Sequence, residues 1–132
     1  MDKQFKSFFE SNAFGVVGAS SVREKYGNKV LRCYSQHNLK VYPVNPNEKI
    51  IEGLNCVSDV GQLPEEVKSI SIITPPKVTE KVVEQAIAKG IKNIWMQPGA
   101  ESPLAIQLCE KNKINVIGDG SCLLVVLGYS ER

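Results

Sequence analysis

Phe14-Gly15-Val16-Val17-Gly18-Ala19-Ser20-Ser21 decides the fold. It opens as a short apolar run and ends in small residues. A valine-rich run stopped by glycine reads as a strand buried on both faces of a parallel sheet. The loop that follows holds no bulk. Gly18 tolerates positive φ and lets a ligand approach the backbone. Ser20 and Ser21 offer hydroxyls and N–H groups. A helical segment is predicted after Gly27. Strand, small-residue loop and helix N-terminus together suit an anion, because free N–H groups meet the positive end of the helix dipole. A plain tight turn between strand and helix is the competing reading.

Outward from this stretch, the chain alternates strands and helices. Asp2–Asn12 carries Phe5, Phe8 and Phe9 at helical spacing, three rings for the core. A strand over Ala13–Gly18, a loop over Val22–Gly27 and a helix over Asn28–His37 follow. Leu39–Val44 is a second strand that leaves through Pro43-Val44-Asn45-Pro46-Asn47. Glu48–Pro64 reads as irregular, with a turn at Glu52-Gly53. Ser69–Thr74 is a third strand, and Thr74-Pro75-Pro76 starts a helix that runs to Lys89, since proline suits the first helical turn. Its buried face is Val78, Val82, Val83, Ala86 and Ile87, and Gly90 ends it. Asn93–Met96 is a fourth strand. Ser102 caps a helix opened by Pro103 and running to Asn112. Asn115–Gly118 is a fifth strand, and the apolar Leu123–Leu127 reads as a sixth, edge-packing strand or a subunit contact, with packing inside the monomer preferred.

This alternation predicts one α/β domain over residues 1–132, doubly wound, with a mostly parallel sheet of about five strands and helices on both faces. Such sheets bind ligands beyond the carboxyl ends of their strands, where the strand order reverses. The loops meeting there are 18–27, 44–47, 74–76 and 97–99, and none offers a carboxylate or an imidazole.

Composition narrows the function. The 132 residues are 42% hydrophobic and 23% charged, in the range of a soluble globular domain, and carry a net charge of +2. That charge argues for neither nucleic acid nor a membrane surface, and no apolar run approaches the ~20 residues that span a bilayer. Met1-Asp2-Lys3-Gln4-Phe5-Lys6 has no apolar signal core, which predicts a cytoplasmic chain with reduced thiols. Cys33, Cys56, Cys109 and Cys122 are scattered and there is one histidine, which argues against zinc. The fingerprint Gly-x-Gly-x-x-Gly is absent, and Val44-Asn45-Pro46 lacks the acid that a dinucleotide site wants at the end of its second strand. The phosphate loop Gly-x-x-x-x-Gly-Lys-Ser/Thr is absent too. What remains is a phosphate-tolerant loop near Arg23, Lys25, Lys29 and Arg32, or else a solvated helix face. No general base, nucleophile and oxyanion site assemble. His37, near a helix end, reads as structural.

Four pieces, in order and in register over nearly the whole chain, resemble a known family: Val16-Val17-Gly18-Ala19-Ser20, Val41-Tyr42-Pro43-Val44-Asn45-Pro46, Ile73-Thr74-Pro75-Pro76 and Ile94-Trp95-Met96-Gln97-Pro98-Gly99. The chain is similar to the small stand-alone CoA-binding proteins and to the N-terminal CoA-binding domain of the succinyl-CoA synthetase alpha subunit. The resemblance implies a Rossmann-like fold and coenzyme A, or a short acyl-CoA, as ligand. It implies phosphates near Gly18, Ala19, Ser20, Ser21, Arg23 and Lys25. It implies an adenosine end near Val44, Asn45 and Pro46, and a pantetheine arm passing Thr74, Pro75 and Pro76 towards Gln97 and Gly99, with Val78 also at the ligand. The family's usual Asp-x-Cys after the last strand is here one residue longer, Asp119-Gly120-Ser121-Cys122, so no role carries over to Asp119 or Cys122. Three readings stay open. One is a CoA-binding module without catalysis of its own, alone or as a homodimer. Another is the CoA-site subunit of an enzyme whose chemistry lies on a partner chain. The last is an NAD-type reader on the same fold.

Overall fold

The computed structural model describes residues 2–131. Its elements are α1 (Lys3–Phe9), β1 (Ala13–Val17), α2 (Tyr26–Gln36), β2 (Val41–Val44), β3 (Ile50–Ile51), β4 (Leu54–Asn55), a 3₁₀ turn (Val60–Gln62), β5 (Val67–Ile72), α3 (Pro76–Lys89), β6 (Asn93–Met96), α4 (Pro103–Lys111), β7 (Asn115–Ile117) and a π-helical turn (Leu124–Gly128). Five strands form one parallel sheet in the order β2-β1-β5-β6-β7, and β3 pairs with β4 in a separate antiparallel hairpin. The α/β, doubly wound, Rossmann-like architecture is therefore as the alternation predicts. The chain leaves β1 towards β2 on one side, then crosses back to β5 on the other. The strand order thus reverses between β1 and β5, and a crevice opens at their carboxyl ends.

Each face of the sheet has its own core. One joins Phe8, Phe14, Val16, Leu31, Tyr34 and Trp95 beneath α1, α2 and the π-helical turn. The other joins Val17, Ile70, Ile72, Val82, Val83 and Met96 beneath α3, α4 and the 3₁₀ turn. The N-terminal rings serve as the spacing suggests: Phe8 is fully buried, and Phe5 and Phe9 pack against that core. Ser102 caps α4 through Ala105 N–H, Pro103 follows it, and Gly90 ends α3 in the left-handed region.

Four local expectations are corrected. α2 begins at Tyr26, so Gly27 lies inside its first turn and is not the last residue of the loop. A Cβ on Gly27 would stand 2.1 Å from Gly18 O, so close packing demands the glycine there. The stretch 48–64 is not irregular throughout. Its predicted turn, with Glu52 at φ 51° and Gly53 at φ 77°, closes the hairpin β3–β4. Val78 is not on the buried face of α3; it is 44% exposed, and Thr79 takes its place in the core. The tail 123–127 is not a sixth strand. Trp95 Nε1–H donates to Ser121 O and Leu123 N–H to Gln97 Oε1, which holds the chain above the end of β6 and away from the sheet edge. There it winds as the π-helical turn and packs inside the monomer against α2.

Candidate functional site

The crevice at the carboxyl ends of β1, β2 and β5 is a cavity of about 460 Å³. Its walls are apolar: Val17 and Val44 from the strands, Val60 from the 3₁₀ turn, Val78 and Val82 from α3. Its polar groups are Asn45, Ser58, Asp59, Thr74 and Gln85. Of the residues predicted for a site, Gly18, Val44, Asn45, Pro46, Thr74 and Val78 line this cavity. Ser58, Asp59, Val60, Val82 and Gln85 line it too and were not foreseen. Asp59 corrects the expectation that no carboxylate reaches the crevice. It arrives because Val57 bridges Val44 in parallel at the end of β2, which carries Ser58 and Asp59 to the rim. One signal was available for α3: Val78, Val82 and Gln85 lie at i, i+4 and i+7, on a single helix face.

Above the crevice runs the loop from Gly18 to Lys25. Gly18 has φ +95°, as its role requires, but the space beside its Cα is taken: a Cβ would meet Ile73 O at 2.3 Å. The fold itself demands this glycine. The loop is pinned at several points. Ser20 Oγ accepts from Val22 N–H at 3.0 Å. Asn45 Nδ2 donates to Ala19 O at 2.9 Å, while Asn45 Oδ1 accepts from Asn47 and Glu48 N–H. Asn28 Nδ2 donates to Ser20 O at 2.8 Å. The N-terminus of α2 has no side-chain cap. Ser21, Arg23 and Lys25 stand exposed beside it, and Ala19 is buried.

The basic cluster divides. Arg32 is buried and braces the loop from below, with Nε donating to Asn28 Oδ1 at 2.7 Å and Nη2 to Arg23 O at 2.8 Å. Lys29 lies 3.6 Å from Glu131 at the other end of the chain. Arg23 and Lys25 are left as the cluster's exposed members.

The exit of β6 is different in kind. Gln97 is fully buried. Its Oε1 accepts from Tyr26 Oη at 3.0 Å and from Leu123 N–H at 2.9 Å. Tyr26 Oη lies 2.6 Å from Cys122 Sγ, and burial, then Cys122, push its phenol above the usual range. Gln97 Nε2 has no partner among the described residues. Gly99 is exposed, with its N–H donating to Glu101 Oε2 at 2.8 Å. Thr74 Oγ1 lies 2.8 Å from Thr79 Oγ1, and Pro75 and Pro76 form the N-cap and first residue of α3. Asp119 is held below the usual carboxylate range by hydrogen bonds from Ser121. His37 caps the far end of α2, its Nε2 2.6 Å from Gly128 O.

The model of a domain family described as "CoA binding domain" matches residues 12–127. The chain belongs to the CoA binding domain family. Its relatives include the acetate–CoA ligase [ADP-forming] II subunit alpha of Pyrococcus furiosus, 31% identical over 88 residues, 66% of this chain and 19% of that protein. The acetate–CoA ligase [ADP-forming] II of Archaeoglobus fulgidus is 29% identical over 126 residues, 86% of this chain and 19% of that one. This CoA binding domain thus spans less than a fifth of those curated relatives. A solved conserved hypothetical protein from Pyrococcus furiosus is 39% identical, with a TM-score of 0.83, over 87% of this chain and 98% of its own. A hypothetical protein from Pyrococcus horikoshii OT3, 27% identical, gives a TM-score of 0.86 over 92% and 85%. Among the described residues no helix is long and apolar enough to cross a membrane.

Proposed function

We propose that this chain binds coenzyme A, or a short acyl-CoA, in the crevice between β1 and β5, and performs no chemistry on it alone. The observation that carries the reading is the juxtaposition of an apolar slot with an anion-accepting loop. The valine walls suit a flat base, which gains by leaving water. The uncapped N-terminus of α2, with Arg23 and Lys25 beside it, suits phosphates. Those two chemistries at one crevice fit the two ends of an adenosine diphosphate. Val44, Asn45, Pro46 and Val78 would flank the adenosine, and Gly18 to Ser21 the phosphates. The pantetheine arm would pass Thr74, Pro75 and Pro76 towards Gln97 and Gly99. Among the described residues no hydrogen bond joins the Ser58 or Thr74 hydroxyl to the Asp59 carboxylate, and on this reading the crevice residues supply binding and orientation. The reading places the chain in the cytoplasm as a carrier, a sensor or an accessory subunit.

The subunit form is favoured by the relatives, which are named as ADP-forming acetate–CoA ligases and are far longer than this chain. An NAD-type reading gains one point from Asp59, an acid at the end of β2 where dinucleotide folds hold a ribose hydroxyl.

Thermal unfolding with CoA, acetyl-CoA, NAD, NADP and ATP separates these. CoA at a hundred times its dissociation constant stabilises by about 2.7 kcal/mol, a rise on the order of 10 °C for a domain of this size. A shift with NAD alone refutes the CoA reading.

A further inference from the structure

The hairpin β3–β4 turns through two left-handed residues, Glu52 and Gly53, and its tip leans on the loop between β1 and α2. There the Glu52 carboxylate meets Arg23 and Asn28. Oε1 lies 3.0 Å from Arg23 Nη1, and Oε2 accepts from Asn28 Nδ2 at 3.1 Å. Asn28 is fully buried in the first turn of α2. Its orientation is set by Ser20 O at one end of the amide and Arg32 Nε at the other, so an N–H is aimed at the carboxylate. A fixed amide, a guanidinium and an uncapped helix N-terminus are what a phosphate oxygen would use. The chain already supplies an anionic oxygen to the amide and the guanidinium.

Resting on the CoA reading above, we infer that Glu52 stands in for a ligand phosphate at this loop and selects for a diphosphate. The pair with Arg23 is open to water: the Arg23 side chain is 52% exposed and that of Glu52 22%. Pairs of that kind exchange readily. A ligand with one negative charge offers Arg23 and Asn28 no more than Glu52 does. A diphosphate brings more charge and more acceptor oxygens, and displaces the carboxylate. Glu52 thereby screens out small monoanions and holds down affinity for every phosphorylated ligand. The hairpin tip is released when CoA binds.

The test is calorimetric titration of the intact chain and its Glu52→Gln variant with CoA and with pantetheine, which lacks phosphate. Glutamine keeps an acceptor for Asn28 and removes the charge. The variant is expected to bind CoA about tenfold tighter, with pantetheine unchanged. Equal or weaker CoA binding overturns the role of Glu52 while leaving the CoA reading in place. If neither protein binds CoA, the CoA reading itself falls. Should the variant fail to fold, hydrogen exchange of wild type decides the matter. The amides of residues 50–55 should exchange faster when CoA is added, and slower exchange overturns the inference.

Discussion

The two faces of the sheet are built from different side chains. Beneath α1 and α2 the core is aromatic. Phe5 stacks on Trp95 at 5.0 Å, Phe8 meets Trp95 edge-on at 5.3 Å, and Phe14 stacks on Tyr34 at 5.1 Å. Beneath α3 and α4 the buried core is aliphatic, with valine, isoleucine and methionine; among the described residues no ring is fully buried there, and Tyr42 packs on it half-buried. The cavity opens at the end of the aliphatic face, between Val17, Val44, Val60 and Val82. Rings are large and rigid, fill the space between layers and gain from their mutual geometry. Branched aliphatic walls are equally apolar but thinner, and can leave a slot. The contrast teaches a division of labour in which the aromatic face fills its space with rings and the aliphatic face leaves a cavity at its open end.

The strongest way to break this comparison is Trp95→Ala. The ring is fully buried and its N–H donates to Ser121 O at 3.0 Å. Its removal should cost about 3–5 kcal/mol, read by denaturant unfolding. A loss under about 1 kcal/mol would mean that the aromatic face is not the structural one. Val78→Trp attacks the other face. Val78 is 44% exposed on the crevice wall, so an indole there should fill the slot and weaken CoA binding at least about tenfold, a loss of about 1.4 kcal/mol of binding free energy. The midpoint of unfolding should stay almost unchanged, and loss of stability together with binding would show that the wall is core. The thiols sharpen the contrast with the smallest effect. Burial pushes Cys33, on the aromatic face, up to about 11, and Cys109, on the aliphatic face, up to about 12. Both stay protonated at pH 8, so iodoacetamide should label Cys56 and Cys122 first. Labelling of Cys109 well before Cys33 would show the aliphatic face to be the looser one throughout.

Much of the fold was legible because its signals are local. The apolar run before Gly18, the prolines opening α3, the cap at Ser102 and the left-handed Gly90 each act within a few residues, and each element stands within a few residues of its expected place. The parallel sheet followed from the alternation of strands and helices. Several residues that line the crevice were legible for a related reason, since loops at the carboxyl ends of strands converge in such a sheet. The rest depended on contacts distant in sequence. Gly27 looks like the end of a loop until Gly18 O is set against it. Asp59 looks like loop until Val57 bridges Val44. Glu52 is only a turn residue until the hairpin tip meets Arg23 and Asn28. The tail looks like a strand because it is apolar; its hydrogen bonds to Trp95 and Gln97 carry it elsewhere.

By itself the sequence determined the order of the elements, the layered α/β architecture and the crevice as the place to look. Periodicity, proline, glycine and capping residues act through φ, ψ and the nearest few side chains, and those are written along the chain. Tertiary structure alone decided which wall of the crevice is open, that a carboxylate stands on its rim and that an acidic hairpin tip sits at the loop between β1 and α2. Those outcomes depend on distances between residues tens of positions apart, which only the packing of both faces against one sheet sets.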